Sequence, residues 1–223
     1  MTPGLKPFII ISSKKLPIRL DFRMGVAHSL ASRFFTVNVL LELESDSGYF
    51  GFGECVPRSY VTGESPESVL RTLQDLIPQV TGYLFDSPEE VLGRLEAIGR
   101  SELARFNPAA MCALELAVLD CAGKNWDMGA PEITGLNRAN EPLIYSLVVP
   151  ILPPETLDLF LDNVKRYEFS HVKVKVDVTD PAGRVKRVRE ALGDTVEVRV
   201  DANCSWDRDN APGFMRSLAN LGV

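Results

Sequence analysis

Lys173 and Lys175 stand two residues apart in His171-Val172-Lys173-Val174-Lys175-Val176-Asp177, and Asp201 ends the run Val196-Glu197-Val198-Arg199-Val200-Asp201 before Ala202-Asn203. Amines and a carboxylate brought to one place are groups that move protons. Both runs alternate strictly, and a β-strand sends successive side chains to opposite faces. Lys173 and Lys175 therefore share one face, about 6.6 Å apart at two residues' rise, while Val172, Val174 and Val176 share the other. In the second run Glu197, Arg199 and Asp201 oppose Val196, Val198 and Val200.

Between the runs, Pro181 to Leu192 places Ala182, Val185, Val188 and Leu192 at spacings of three and four, the pattern of an amphipathic helix. Strand, helix and strand make a β-α-β unit. An antiparallel sheet with one wet face would also leave lysines in water. A crossover helix instead implies parallel strands, which are normally covered on both faces. Lysines facing such an interior need a partner or a task. A (β/α) barrel supplies the task, because side chains at the C-terminal ends of its strands converge on one pocket. Lys175 and Asp201 stand near those ends.

Lys-Val-Lys on one strand and Val-Asp-Ala-Asn on the next resemble the muconate-lactonizing and dipeptide-epimerase branch of the enolase superfamily. The resemblance implies that Lys175 is the acid/base that takes the proton α to a substrate carboxylate, with an ene-diolate intermediate. Lys173 would be the neighbouring cation that favours a neutral amine. It implies Asp201 as the first ligand of a Mg²⁺ ion, with Asn203 holding the strand end or touching the substrate.

The first half extends the likeness. Phe8 to Asp21, with Pro17 as an interruption or an edge marker, Phe34 to Leu43, and Tyr49 to Glu54 after Asp46-Ser47-Gly48 read as an antiparallel meander. Arg23 to Arg33 reads as a polar loop. Ser65-Pro66 opens a helix through Val69, Leu73 and Leu76, a second follows Ser87-Pro88, and a longer one of small apolar residues follows Asn107-Pro108. Glu115 and Asp120 on it read as local structural ligands. This half looks like the superfamily's capping domain, through Gly51-Phe52-Gly53-Glu54, Tyr60-Val61-Thr62-Gly63-Glu64 and Asn107-Pro108-Ala109-Ala110. The fold class expected is thus an α+β capping domain over residues 1–128, then the first three strand-helix units of a (β/α) TIM-type barrel over residues 129–223. In that family the loops at 23–33 and 56–64 close over the barrel mouth, which makes Arg23, His28 and Tyr60 candidate substrate contacts. Ser146, on a first barrel strand spanning Pro142 to Val149 together with Tyr145, is another.

Composition narrows the partners. The 223 residues are 45% hydrophobic, ordinary for a globular chain, and carry a net charge of −6, which argues against nucleic acid or an anionic membrane as partner. No run approaches eighteen apolar residues and the start lacks a signal-peptide plan, so a cytoplasmic protein is expected. Cys55, Cys112, Cys121 and Cys204 lack paired metal-ligand spacing and read as buried free thiols.

A whole (β/α)₈ barrel takes about 250 residues. By resemblance, two further metal carboxylates and an opposing lysine lie on later strands, so the chain reads as an N-terminal fragment, not fully active alone. Its open strand edge invites self-association or a complementing C-terminal half. The expected activity of the complete enzyme is Mg²⁺-dependent epimerisation or racemisation of a small carboxylate, a dipeptide or amino-acid derivative. Muconate cycloisomerase and o-succinylbenzoate synthase are the alternatives within the family, and a non-catalytic assembling half is the alternative outside it.

Overall fold

The computed structural model describes residues 4–28, 31–136 and 142–223, with side chains at positions 24–32 left aside. Two compact units emerge, Met1–Phe22 with Phe35–Ala139, and Arg23–Phe34 with Asn140–Val223.

Strands β1 (Phe8–His28), β2 (Ala31–Ser45), β3 (Phe50–Cys55) and β4 (Leu84–Phe85) form one sheet in the order β3-β2-β1-β4. The polar loop expected at 23–33 is instead strand on both sides of positions 29 and 30. β1 and β2 are neighbours in the sheet order. Gly25 and the flanking polar residues mimic a loop in sequence, while the ladder carries the backbone through them. The expected three-stranded meander also gains β4, which pairs antiparallel with the start of β1 through Phe8↔Phe85 and Ile9↔Leu84. Pro17 lies past that short pairing, where β1 has a neighbour on one side only, as proline requires.

The helices of the first unit are α1 (Pro66–Leu76), α2 (Pro88–Gly99), α3 (Glu102–Arg105), α4 (Pro108–Trp126) and α5 (Ala130–Thr134). Ser65 caps α1, accepting from the Ser68 N–H while Ser68 Oγ accepts from the Ser65 N–H, a reciprocal capping box. Helix α4 is the centre of the packing. Its Ala113, Ala117 and Cys121, all fully buried, repeat every four residues and meet β3 at its glycines. A β-carbon at Gly53 would sit 1.9 Å from Ala113 O, and one at Gly51 2.2 Å from Ala117 O. Only glycine allows strand and helix backbones to approach so closely. Val39, Leu41 and Leu43 of β2 fill the same layer. Asp120 accepts from the Phe52 N–H at 2.8 Å and from Lys124 Nζ at 2.7 Å, the structural use read from the sequence.

The second unit contains β5 (Ser146–Val149), α6 (Pro154–Val164), β6 (His171–Lys175), α7 (Pro181–Leu192), β7 (Glu197–Asp201) and α8 (Ala211–Ala219). The strands are parallel, in the order β5-β6-β7. Val172, Val174 and Val198 pack in one cluster with Leu157 and Leu161 of α6, Val185 and Val188 of α7, and Leu218 of α8. Asp180 caps α7 by accepting from the Gly183 N–H. The first strand is shorter than expected, and Tyr145 falls just outside it, exposed. All four cysteines are free, but only Cys55 and Cys121 are buried; Cys112 and Cys204 are exposed. Burial pushes the Cys55 thiol up to about 12 and that of Cys121 to about 11.

Candidate active site

Register decides which side chains meet. In the parallel pair β6–β7, Lys173 stands opposite Arg199 and Lys175 opposite Asp201, so the two lysines and the carboxylate project from one face of neighbouring strands at their C-terminal ends. Lys173 reaches diagonally to put its Nζ 2.7 Å from Asp201 Oδ2. The other oxygen, Oδ1, accepts from the Asn203 N–H at 2.9 Å. Asp201 is thus gripped at both oxygens. The hydrogen bond from Lys173 above all holds its carboxyl below the usual carboxylate range; partial burial opposes this, and the Asn203 N–H and the charges of both lysines add to it.

The chain turns sharply after Asp201. Asn203 and Cys204 have φ of 47° and 63°, the left-handed region that side chains other than glycine enter at a cost. The Ser205 N–H closes the turn on Ala202 O at 2.9 Å. Just past Lys175, the Val176 N–H donates to Asp201 O at 3.1 Å, extending the ladder.

Ser146 lies elsewhere. It stands in register with His171, which in turn faces Glu197, four residues before the level of Lys175 and Asp201, or about 13 Å along the strands. At that opposite end His171 Nε2 is 3.2 Å from Glu197 Oε2 and its Nδ1 2.9 Å from Ser170 Oγ. Arg23 is exposed near the far end of β1, and the side chain of His28 lies outside the described residues. Tyr60 is half-buried in the turn 59–62. A residue with no role assigned from sequence anchors that loop: Glu64, 2% exposed, accepts from the Ala109 N–H at 2.8 Å and the Ala110 N–H at 3.1 Å, capping α4 from 45 residues away. The sequence hides this role, because Asn107 stands where a capping side chain is expected, yet in the structure it makes no capping bond.

Among the described residues no three His, Cys, Asp or Glu side chains converge as a metal site. Mg²⁺ prefers octahedral oxygen coordination. A single carboxylate already paired with Lys173 does not satisfy it, so the described residues of this chain do not by themselves fit the ion. Nor is any described helix long and apolar enough to cross a membrane.

Comparison with known proteins places this architecture. Residues 156–223 match the family model described as enolase C-terminal domain-like. The N-succinyl-L-Arg/Lys racemase of Bacillus cereus is 29% identical over 210 residues, covering 92% of this chain and 55% of the racemase. Its crystal structure superposes with a TM-score of 0.83 at 26% identity, over 96% of this chain and 58% of that one. The L-Lys-D/L-Arg epimerase of Methylococcus capsulatus is 30% identical over 190 residues, 83% of this chain and 51% of the epimerase. A dipeptide epimerase from that organism, solved with Mg and the dipeptide L-Arg-D-Lys, gives a TM-score of 0.81 at 25% identity, over 96% of this chain and 60% of that one. A muconate lactonizing enzyme from Mycobacterium smegmatis, 20% identical over 96% of this chain and 58% of that one, shares the fold with a TM-score of 0.83. The chain spans little more than half the length of the relatives it matches. With its antiparallel sheet and helices followed by parallel β/α units, the chain is similar to the enolase superfamily, matching its C-terminal domain-like family over residues 156–223 and sharing the fold of muconate-lactonizing enzymes and dipeptide epimerases.

Proposed function

We propose that this chain supplies the acid/base lysine and one carboxylate of an active site that removes the proton α to a carboxylate, in an epimerase or racemase of dipeptides or N-acylated amino acids. The observation that carries the reading is the cross-strand register of Lys175 with Asp201, on the face that also bears Lys173. In this reading the Lys175 amine takes the α-proton and returns a proton to the same face. Lys173 is the fixed positive charge beside the developing anion, where preorganised charge is most effective. Inversion also needs an acid on the opposite face of the substrate, which we assign to a complementing half. Capping residues 1–128 and barrel residues 129–223 are the proposed division of labour, with Arg23 and His28 of β1 and Tyr60 of the 59–62 turn as proposed substrate contacts and Asn203 as a contact at the strand end.

Mg²⁺ enters through the relatives, one of which was solved with it. Asp201 would be one of its ligands, the others coming from the complementing half, and the ion would supply charge stabilisation to the substrate carboxylate. An amino-acid substrate is favoured over a muconate because the superposed racemase and dipeptide epimerase share 26% and 25% identity with this chain, against 20% for the lactonizing enzyme.

The test mixes the chain with a candidate C-terminal half and follows Mg²⁺-dependent exchange of the substrate α-proton in D₂O by NMR. Exchange that disappears in Lys175→Ala supports the assignment. Unaltered exchange in that variant rejects Lys175 as the base, and full exchange by the 223-residue chain alone rejects the need for a complementing half.

A further inference from the structure

Past the ends of the ladder, the Trp206 side chain links the lysine strand to the segment that follows the aspartate strand. The left-handed turn at Asn203 and Cys204 swings the chain back so that the Trp206 indole N–H donates to Asp177 O at 3.1 Å, across 29 residues. Asp177 is the second residue after Lys175. The indole ring is half-buried and lies against Phe214 of α8, with centroids 5.2 Å apart and planes inclined by 36°. An indole has a single donor and no acceptor, and a shielded one needs a partner.

We infer that Trp206 is a positioning residue: through the Asp177 carbonyl it ties the end of the lysine strand to the turn that follows Asp201, and so sets the spacing of Lys175 and Asp201. The inference rests on the roles proposed above for those two side chains. Past Lys175 the β6 chain has two cross-links to its neighbour, Val176 N–H to Asp201 O and Asp177 O to Trp206 Nε1. The Asp177 carboxylate is turned to its own loop, where Oδ1 accepts from the Thr179 N–H at 2.9 Å. Without the indole, the Asp177 carbonyl loses its cross-strand donor, and the link that remains past Lys175 is the Val176 N–H on Asp201 O together with the buried Val176 side chain. On the other strand, the same turn that presents the indole also supplies the Asn203 N–H that orients Asp201 Oδ1. One short segment therefore aims the carboxylate and anchors the lysine strand.

The test is amide and indole hydrogen exchange on the ¹⁵N-labelled 223-residue chain, with Trp206→Phe and Phe214→Leu as variants. Trp206→Phe removes the donor and keeps an aromatic ring. Exchange at Val176 should rise at least tenfold relative to Val174, with a shifted Asn203 amide and a broadened Lys173 ammonium signal. Phe214→Leu removes the stacking partner and keeps the donor, so it should loosen α8 without singling out Val176. A uniform rise across β5, β6 and β7 in Trp206→Phe, or a Phe214→Leu variant that reproduces the Val176 effect, would make Trp206 merely structural and overturn the inference. In the unmodified chain the Trp206 indole proton should exchange slowly, and exchange at the rate of free tryptophan overturns it without any variant. None of these readings uses catalysis, so a failure here is separable from a failure of the D₂O assay.

Discussion

Replacing Glu64 by alanine removes the acceptor for the first turn of α4. The carboxylate is 2% exposed and holds the N–H groups of Ala109 and Ala110 at 2.8 and 3.1 Å. Nothing adjacent can replace it. Pro108 has no N–H, and the Asn107 side chain donates backwards to Leu103 O. Two shielded donors are left, at about 1–3 kcal/mol each. Loss of a negative charge at a helix N-terminus adds about 0.3–1 kcal/mol. Removing a carboxylate that had to be stripped of water on folding offsets part of this, so the expected destabilisation of the first unit is about 3 kcal/mol. Glu64→Gln keeps one acceptor and turns an amide donor towards the other N–H, and should lose about half as much. Ser65→Ala, which removes only the α1 cap, should lose about 1 kcal/mol and serves as the scale. The assay is urea unfolding followed by ¹⁹F NMR of fluorotryptophan, since the sequence has two tryptophans and they fall one in each unit, Trp126 in the first and Trp206 in the second. The Trp126 midpoint should fall at unchanged slope, and cleavage by trypsin at Arg58 should quicken as the Tyr60 loop loses its anchor. A change below about 0.5 kcal/mol, the range of an ordinary surface substitution, would show that Glu64 does not cap α4.

Lys173→Met breaks the pair with Asp201 but should cost the chain only about 0.2–1 kcal/mol, because the lysine side chain is 40% exposed and such pairs are screened. The sign of its pH dependence follows from the lowered Asp201 carboxyl: the stabilisation is fully present above the ordinary value of 3.8 and is lost as pH falls through the lower folded-state value. Urea midpoints of the two proteins should therefore differ above pH 3.8 and converge in stronger acid; a gap that widens on acidification contradicts the pairing. Gly53→Ala drives a β-carbon to 1.9 Å from Ala113 O and 2.6 Å from Ala117 N, backbone atoms that cannot swing aside, so it should exceed the usual overpacking cost of about 1–3 kcal/mol. Gly93→Ala, inside α2 with open space around it, should stabilise by about 1 kcal/mol, and a Gly53→Ala protein as stable as the parent would refute the close approach.

Much of this architecture is legible in the chain because burial writes itself into the period. Val172, Val174 and Val176 against Lys173 and Lys175 give strand, face and charge in one reading, and Ser65-Pro66 marks a helix start by chemistry that acts within three residues. Where the signal is not local the reading stops. Strand β4 has two residues, too few for any period. The strand through Gly25 carries turn-forming residues on a ladder set by its neighbours, and Glu64 finds its partners 45 residues away.

The candidate site divides along the same line. Residue type and strand order suffice to put Lys175 and Asp201 on neighbouring strand ends, but height along a parallel strand is set by the crossover helices, and sequence does not record it. Ser146 illustrates the consequence: a hydroxyl on the strand beside the lysines reads as a site residue, yet the pairing Ser146↔His171↔Glu197 puts it at the other end of the sheet. The diagonal from Lys173 to Asp201 is the same effect with the opposite outcome, since one step of register brings a supposed neighbour of Lys175 into contact with the carboxylate instead. Lys173 is therefore bound to Asp201, and a cation drawn to that carboxylate must first compete with an ammonium. In the proposed reading a complementing half brings further carboxylates and gives both cations ligands, so Mg²⁺ affinity, measured with and without that half and with Lys173→Met, should rise in both comparisons. An affinity unchanged by the half would place the ion elsewhere.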